Sequence, residues 1–235
     1  MYDEPFADSS QIPTFLVSKL AAGSVKVALS GDGGDELFGG YNRYFFAEKI
    51  WNTLRFIPKP LRKGLYSSIS KLNTQQWDAL SSFLHHILPK KYHFSNLTDK
   101  LKKASSLLAV ESFDDVYFKL VKQWENPGEL LNFDFYPQKN KLIGSDLFQD
   151  NMDKMMLNDL LTYLPDDILC KVDRAGMSVS LESRIPFLDH HVFAFSSSLP
   201  LSYKINEGKS KWILREILKK YIPEILIDRP KMGFG

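Results

Sequence analysis

Apolar residues recur along this chain at helical spacing far more often than at strand spacing. From Asp8 to Ala22, Ile12, Phe15, Leu16 and Leu20 share one side of an amphipathic helix; Asp8, Ser9 and Ser10 offer caps, and Pro13 belongs in the first turn. Gly23 and Ser24 end it. The short apolar run Val25, Val27, Ala28 and Leu29 stops at Ser30 and reads as a buried strand of a parallel sheet. Asp35 to Phe46 predicts a helix with its amino terminus toward a ligand. Tandem Gly39-Gly40 weakens that helix and requires a packing or functional reason.

From Trp51 to Phe135 the periodicity is helical, punctuated by Pro58, Pro60, Pro89 and Pro127. Leu80, Phe83, Leu84 and Ile87 form one stripe, and Val116, Leu120 and Trp124 another. Lys100, Lys102 and Lys103 read as a solvated face. Met152, Met155, Met156 and Leu160 suit a core-facing helix filled by adaptable side chains. Asp166 to Glu182 predicts a helix capped by Asp166 or Asp167, with Ile168, Val172, Ala175 and Val179 inward and Lys171, Arg174 and Ser178 on another face. A last helix, with Ser210 as cap, carries Lys211 and turns Trp212, Leu214 and Ile217 inward. Val25–Leu29 is the one convincing strand. The expected class is therefore α/β but helix-dominated, with few strands.

Composition narrows function more than fold. The 235 residues are 44% hydrophobic and 13% aromatic, ample for a core. Thirty basic against 28 acidic residues make no case for nucleic acid or a membrane surface. One cysteine, Cys170, excludes an internal disulfide and suits a reducing compartment. No apolar run approaches the ~20 residues of a span, and no signal peptide is evident, so a cytoplasmic protein is expected. Histidines 85, 86, 93, 190 and 191 show no metal-binding spacing.

The chemistry concentrates in Ser30–Asp35, SGDGGD. Ligands of open α/β folds bind beyond the carboxyl ends of strands, and glycines there let backbone N–H groups approach a phosphate. Bare carboxylates repel phosphate, so Asp32 and Asp35 among those glycines imply a divalent cation, Mg²⁺, between protein and nucleotide. An EF-hand reading fails for want of its acidic spacing. Asp32 could instead be a turn residue bonding its own backbone. Glu36 reads as a favourable charge on a helix amino terminus. Lys171 and Arg174 together suit a pyrophosphate or triphosphate; on spacing alone, a surface pair of Asp167 with Lys171 explains them as well.

Five blocks resemble the glutamine-dependent asparagine synthetase family: SGDGGDELFGGYNRY, LPDDILCKVDRAGMSVSLESRIPFLDH, KSKWILRE, the opening DEPFADSSQIPTFLVSKLA and the closing DRPKMGFG. Their order and spacing match the family's, while residues 50–142 match little. The resemblance implies a partial adenine nucleotide alpha-hydrolase-like, Rossmann-like synthetase domain over residues 1–235. It also implies a fragment, because the family's glutaminase domain and Ser-Gly-Gly-x-Asp-Ser pyrophosphate loop have no counterpart here.

The resemblance implies roles as well. Ser30 and Gly31 would hold ATP, Asp35 would ligate Mg²⁺, and Lys171 and Arg174 would line the nucleotide cleft. Asp32 stands where better-known members carry glutamate, in forming or consuming an aspartyl-adenylate. Lys211 would stabilise charge as pyrophosphate leaves, with Lys209 the competing assignment. Glu182, Arg184 and Asp189 would form an ion-pair network. These groups should face one cleft, and β-strand 25–29 should lie at a sheet edge, open to pairing in a homodimer. The implied reaction makes asparagine from aspartate, ATP and glutamine-derived ammonia. Rival readings are a homologue amidating another carboxylate, such as a sugar acid of surface polysaccharide, a cyclase joining amine and carboxylate within one substrate, and a catalytically silent binding module.

Overall fold

In the structure, a computed structural model, the first amphipathic segment forms α1 (Gln11–Ala22), with Pro13 in the first turn. The described residues are 1–3, 6–87, 97–122, 141–144 and 146–227. Asp8 organises the start of α1: its carboxylate accepts from the Ser10 N–H at 2.8 Å and the Ser10 hydroxyl at 2.7 Å. The apolar run forms β1 (Val27–Leu29), and a four-residue loop leads into α2 (Gly34–Phe38). The single helix expected over Asp35–Phe46 is two. Gly39, at φ +67°, ends α2 in the left-handed conformation that a side chain resists, and α3 (Asn42–Leu54) begins after Tyr41.

The chain continues through α4 (Lys59–Ile69), α5 (Thr74–Ile87), α6 (Leu97–Ser106) and α7 (Phe113–Val121). There follow α8 (Asn151–Leu161), a π-helical turn at Leu164–Leu169, α9 (Cys170–Met177) and β2 (Glu182–Arg184). The last elements are α10 (His190–Ser198), α11 (Leu201–Lys204), β3 (Ile205–Asn206), β4 (Lys209–Ser210), α12 (Trp212–Leu218) and α13 (Glu224–Ile227). They make two compact units: Met1–Tyr44 with Leu142–Gly235, and Phe45–Lys141.

In the first unit α1 packs on α9, and α2 on α8. Met152, Met155 and Met156 point inward from α8, as their spacing requires, and join Leu37, Phe38, Tyr44 and Leu164 in the core. The sheet corrects the single-strand expectation. β1 pairs in parallel with β2, Val27 opposite Glu182 and Leu29 opposite Arg184, and β3 pairs antiparallel with β4. The polar triplet Glu-Ser-Arg of β2 carries no hydrophobic alternation, so no strand is read there and its first residue falls at the end of the expected helix. The helix expected to reach Glu182 stops at Met177, and Ser180, at φ +59°, turns the chain toward the strand.

A second correction concerns burial. Ile12, Leu16 and Leu20 of α1 are 64%, 58% and 81% exposed, and Leu29 of β1 is 76% exposed. Periodicity specifies that a helix has an apolar face, not that the face has a partner. Among the described residues β1 has one paired edge, so it does lie at a sheet edge.

The second unit is helical. Arg62 is buried, and its guanidinium donates to the Val110 carbonyl at 2.9 Å. Trp77, Leu97, Val110, Phe113, Val116 and Tyr117 form the core. The α5 stripe is displaced from expectation, since Trp77 is buried and Phe83 exposed. Pro89, Trp124, Pro127 and the closing block 228–235 lie outside the described residues, as do the side chains of Leu84, Ile87 and Lys100. No helix among the described residues is long and apolar enough to cross a membrane.

Candidate functional site

The loop from β1 to α2 is fixed at both ends. The Ser30 N–H donates to the Arg184 carbonyl at 2.8 Å, carrying the parallel pairing one residue beyond β1. At the other end a Cβ on Gly33 would lie 2.7 Å from Leu188, and one on Gly34 3.1 Å from the Phe187 ring. These glycines let the loop lie against the turn Pro186–Leu188, so that two of the sequence blocks meet. Gly31 differs. A Cβ there would meet nothing within 4 Å, so that position opens outward. Asp32 is half-buried and accepts a hydrogen bond from the Ser30 hydroxyl, holding it within its own turn.

Asp35 reaches across to Lys211, Nζ to Oδ1 at 2.9 Å, each side chain about one-third exposed (29% and 33%). Gly40 makes the pair sterically feasible: a Cβ there would fall 1.8 Å from Asp35 Oδ1 and 2.4 Å from Lys211 Cε. The tandem glycines thus have separate tasks, Gly39 turning the chain and Gly40 leaving space. Lys211, not Ser210, stands at the start of α12. Its backbone is left-handed, φ 53° and ψ 38°, with its N–H donating to the Phe38 carbonyl at 3.1 Å. A left-handed lysine costs of order 1–3 kcal/mol and persists where the surroundings enforce it. Lys209 is exposed in β4, where it lines a shallow cleft with Trp212, Arg215 and Glu216.

Glu36 is more than a charge on a helix end. It is 2% exposed, and its carboxylate accepts from the Tyr41 hydroxyl at 2.6 Å. Burial pushes the Glu36 carboxyl up, against the pull of Tyr41. Beside them lies a group the sequence reading missed. The Arg43 guanidinium stacks over Tyr41 at 4.0 Å and Tyr163 at 4.7 Å, and its Nη2 pairs with fully buried Asp159 at 2.7 Å. Tyr44 donates to the same carboxylate at 2.6 Å. The signal was an arginine between two tyrosines, Tyr41 and Tyr44, but its third ring, Tyr163, and its acid, 116 residues away, are distant in sequence.

The cations expected to meet pyrophosphate are engaged elsewhere. Lys171 is buried and donates to Asp8 and, at 2.8 Å, to the Ser10 hydroxyl, so two of its three N–H groups are used within the chain. Burial lifts the Asp8 carboxyl, yet the hydrogen bonds from Lys171 and Ser10 outweigh that and hold it at about 2. Asp8, not Asp167, is therefore the partner. Burial, with Asp8 next to it, instead pushes Asp167 up, and one Asp167 oxygen is buried without a hydrogen bond. Arg174 pairs with exposed Asp3 at 2.9 Å.

The described contacts thus join Asp35 with Lys211 and Ser30 with Asp32, while Lys171 and Arg174 join Asp8 and Asp3. No described contact joins the last two to the glycine loop. Tyr163 lies between the groups in electrostatic terms: burial, then Asp167, raise its hydroxyl to about 12, with Asp8 and Glu36 adding and Arg43 opposing. Arg184 pairs with Glu182 at 2.7 Å, but Asp189 is not in that network; it caps α10 by accepting from the His191 N–H at 2.9 Å. Ligand atoms of Asp189, His190 and His191 do lie within 4.8 Å of one another. All three are exposed at a helix amino terminus, where the dipole disfavours a cation.

Comparison with known proteins agrees with the block pattern. A family model described as asparagine synthase matches residues 1–235. A Mycobacterium tuberculosis protein, provisionally named a glutamine-hydrolyzing asparagine synthetase, is 34% identical over 235 residues, covering 99% of this chain and 33% of its own. Bacillus subtilis asparagine synthetase (glutamine-hydrolyzing) 1 is 31% identical over 233 residues, covering 99% and 34%. A Penicillium rubens protein named amidase chyE is 24% identical over 248 residues, covering 93% and 33%. The chain spans about a third of the length of the curated relatives it matches. No solved structure is a significant match. With every residue inside the family model and relatives above 30% identity along nearly its whole length, this chain belongs to the asparagine synthase family.

Proposed function

We propose that the chain forms nucleotide-site structure of an ATP-dependent asparagine synthetase that uses ammonia from glutamine. The observation that carries this reading is the Asp35–Lys211 pair, seated in space that Gly40 leaves beside a glycine-rich loop at a strand's carboxyl end. A carboxylate is a poor electrophile, and its oxide is a poor leaving group. ATP activates the aspartate side chain as an acyl-adenylate with release of pyrophosphate, and ammonia then displaces AMP. Asp35, with Asp32 nearby, offers the hard oxygen donors that Mg²⁺ takes, and the ion would neutralise charge on the pyrophosphate oxygens. Lys211 supplies a fixed positive charge where negative charge develops. Ser30 and Gly31 border the open side of the loop, where nucleotide has room. Lys171 and Arg174 act on the phosphates once Asp8 and Asp3 yield them. The single cysteine fits a cytoplasmic enzyme.

A second reading, amidation of a different carboxylate, has in its favour the Penicillium rubens relative named an amidase. The test for both is pyrophosphate release by the intact enzyme with ammonia supplied directly, across a panel of carboxylates. Aspartate-dependent release is expected. Asp35→Asn should abolish it, and Lys211→Ala should lower turnover roughly 10²–10³-fold. Release with another carboxylate but not with aspartate selects the second reading, and full activity in either variant withdraws that residue from the site.

A further inference from the structure

The first unit holds a separate open cavity of about 110 Å³. Glu36 and Leu37 of α2 form one wall; Met156, Leu160 and Leu199 supply apolar surface, and Asp153 and Lys204 supply charge. None of Ser30, Asp32, Asp35, Lys171, Arg174 or Lys211 borders it.

Lys204 is the feature that needs explaining. It is 7% exposed, yet its ammonium makes no hydrogen bond or ion pair among the described residues. Asp153, half-buried on α8, is likewise without a hydrogen bond, and its carboxylate stands beyond the 4.0 Å of an ion pair with Lys204. The two nevertheless feel each other. Burial pushes the Lys204 ammonium down and Asp153 lifts it; burial pushes the Asp153 carboxyl up and Lys204 lowers it. Glu36, whose Oε1 accepts from Tyr41, makes no ion pair with Lys204 either. Lys204 and Asp153 line the same open cavity without pairing with each other, and a gap between opposite charges invites a bridging group.

We propose that this cavity binds a small zwitterionic α-amino acid with a short apolar side chain, its carboxylate on Lys204 and its ammonium on Asp153. A lone anion would satisfy Lys204 and leave Asp153 worse placed, and a lone cation would do the reverse. A zwitterion satisfies both without changing the net charge. The apolar walls take the side chain. A cavity of about 110 Å³ suits a side chain of a few carbons. This inference goes beyond the proposed function and does not depend on it.

The test is calorimetric titration of the protein with L-alanine and L-valine, alongside propionate and ethylamine, which keep one charge each. Either amino acid should bind, with both single-charge analogues weaker by at least about tenfold. Lys204→Met and Asp153→Asn should each weaken binding by at least about tenfold, and Leu160→Phe should do the same by filling the cavity with both charges intact. Thermal melts identify any variant that fails to fold, and Leu160→Phe and the analogue series decide the matter if a charge variant does. No binding of either amino acid at roughly 10 mM, an analogue that binds as tightly, or binding that survives Leu160→Phe overturns the proposal.

Discussion

Adding one methyl group at Gly40 tests the site more sharply than deleting a charge. The Cβ of Gly40→Ala would lie 1.8 Å from Asp35 Oδ1, where ordinary contact starts at 3.4 Å, so the carboxylate must move by well over an ångström. Lys211 Cε, at 2.4 Å, must move too. Gly40 is not among the residues with positive φ, so the backbone accepts alanine and the effect is steric. Both obstructing atoms are ends of side chains that swing aside. The stability cost should therefore fall at the low end of overpacking, about 1 kcal/mol. The functional cost should be much larger, because a misplacement of ~1 Å near the reacting centre loses about 10²-fold in rate. The assay is pyrophosphate release by the intact enzyme with ammonia and saturating ATP, paired with a urea melt. A folded Gly40→Ala protein with turnover within about threefold of wild type would falsify the requirement for Asp35 and Lys211 in their present places.

Gly31→Ala is the matching control: with nothing within 4 Å of its Cβ, stability should hold or rise by ~0.4–1 kcal/mol, and a melt lower than wild type would show a contact the geometry lacks. Asp8 predicts an acid limb. Its carboxyl sits at about 2 against the ordinary 3.8, so it stabilises the fold above that ordinary value and the contribution, about 2 kcal/mol, disappears as pH falls from about 4 to about 2. Asp8→Asn should flatten that part of the stability–pH curve; an unchanged curve would mean that Lys171 and Asp8 do not pair in solution. Asp159→Ala removes the buried acceptor shared by Arg43 and Tyr44 and should cost about 3–5 kcal/mol in chemical denaturation, with a loss below 1 kcal/mol contradicting that arrangement.

What could be read from residues alone followed from local rules. The methionines of α8 announce their inward face by spacing, β1 is a bounded apolar run, and the glycine pair after α2 is costly enough in a helix to demand a reason. What could not be read involves distant partners. Lys171 shares a helix with Asp167, so spacing favours that pair, yet Asp8 takes it from 163 residues away. The left-handed backbone of Lys211 is invisible because lysine has no preference for it; the β3–β4 hairpin and the Phe38 carbonyl impose it. The cavity at Lys204 arises where four separate segments fail to close on one another, and no single segment encodes a void.

The order of the chain carries a consequence for how it is made. Asp8 and Lys171 are 163 residues apart, and β1 meets its partner β2 only after the whole of Phe45–Lys141 has been synthesised. At 5–20 residues per second, Asp8 waits roughly 8–30 s for its lysine. During that interval the middle unit, Phe45–Lys141, is already complete in sequence, whereas the first unit still lacks its carboxy-terminal part. Folding on the ribosome should therefore secure the middle unit before residues 1–44, which wait for the segment that follows it.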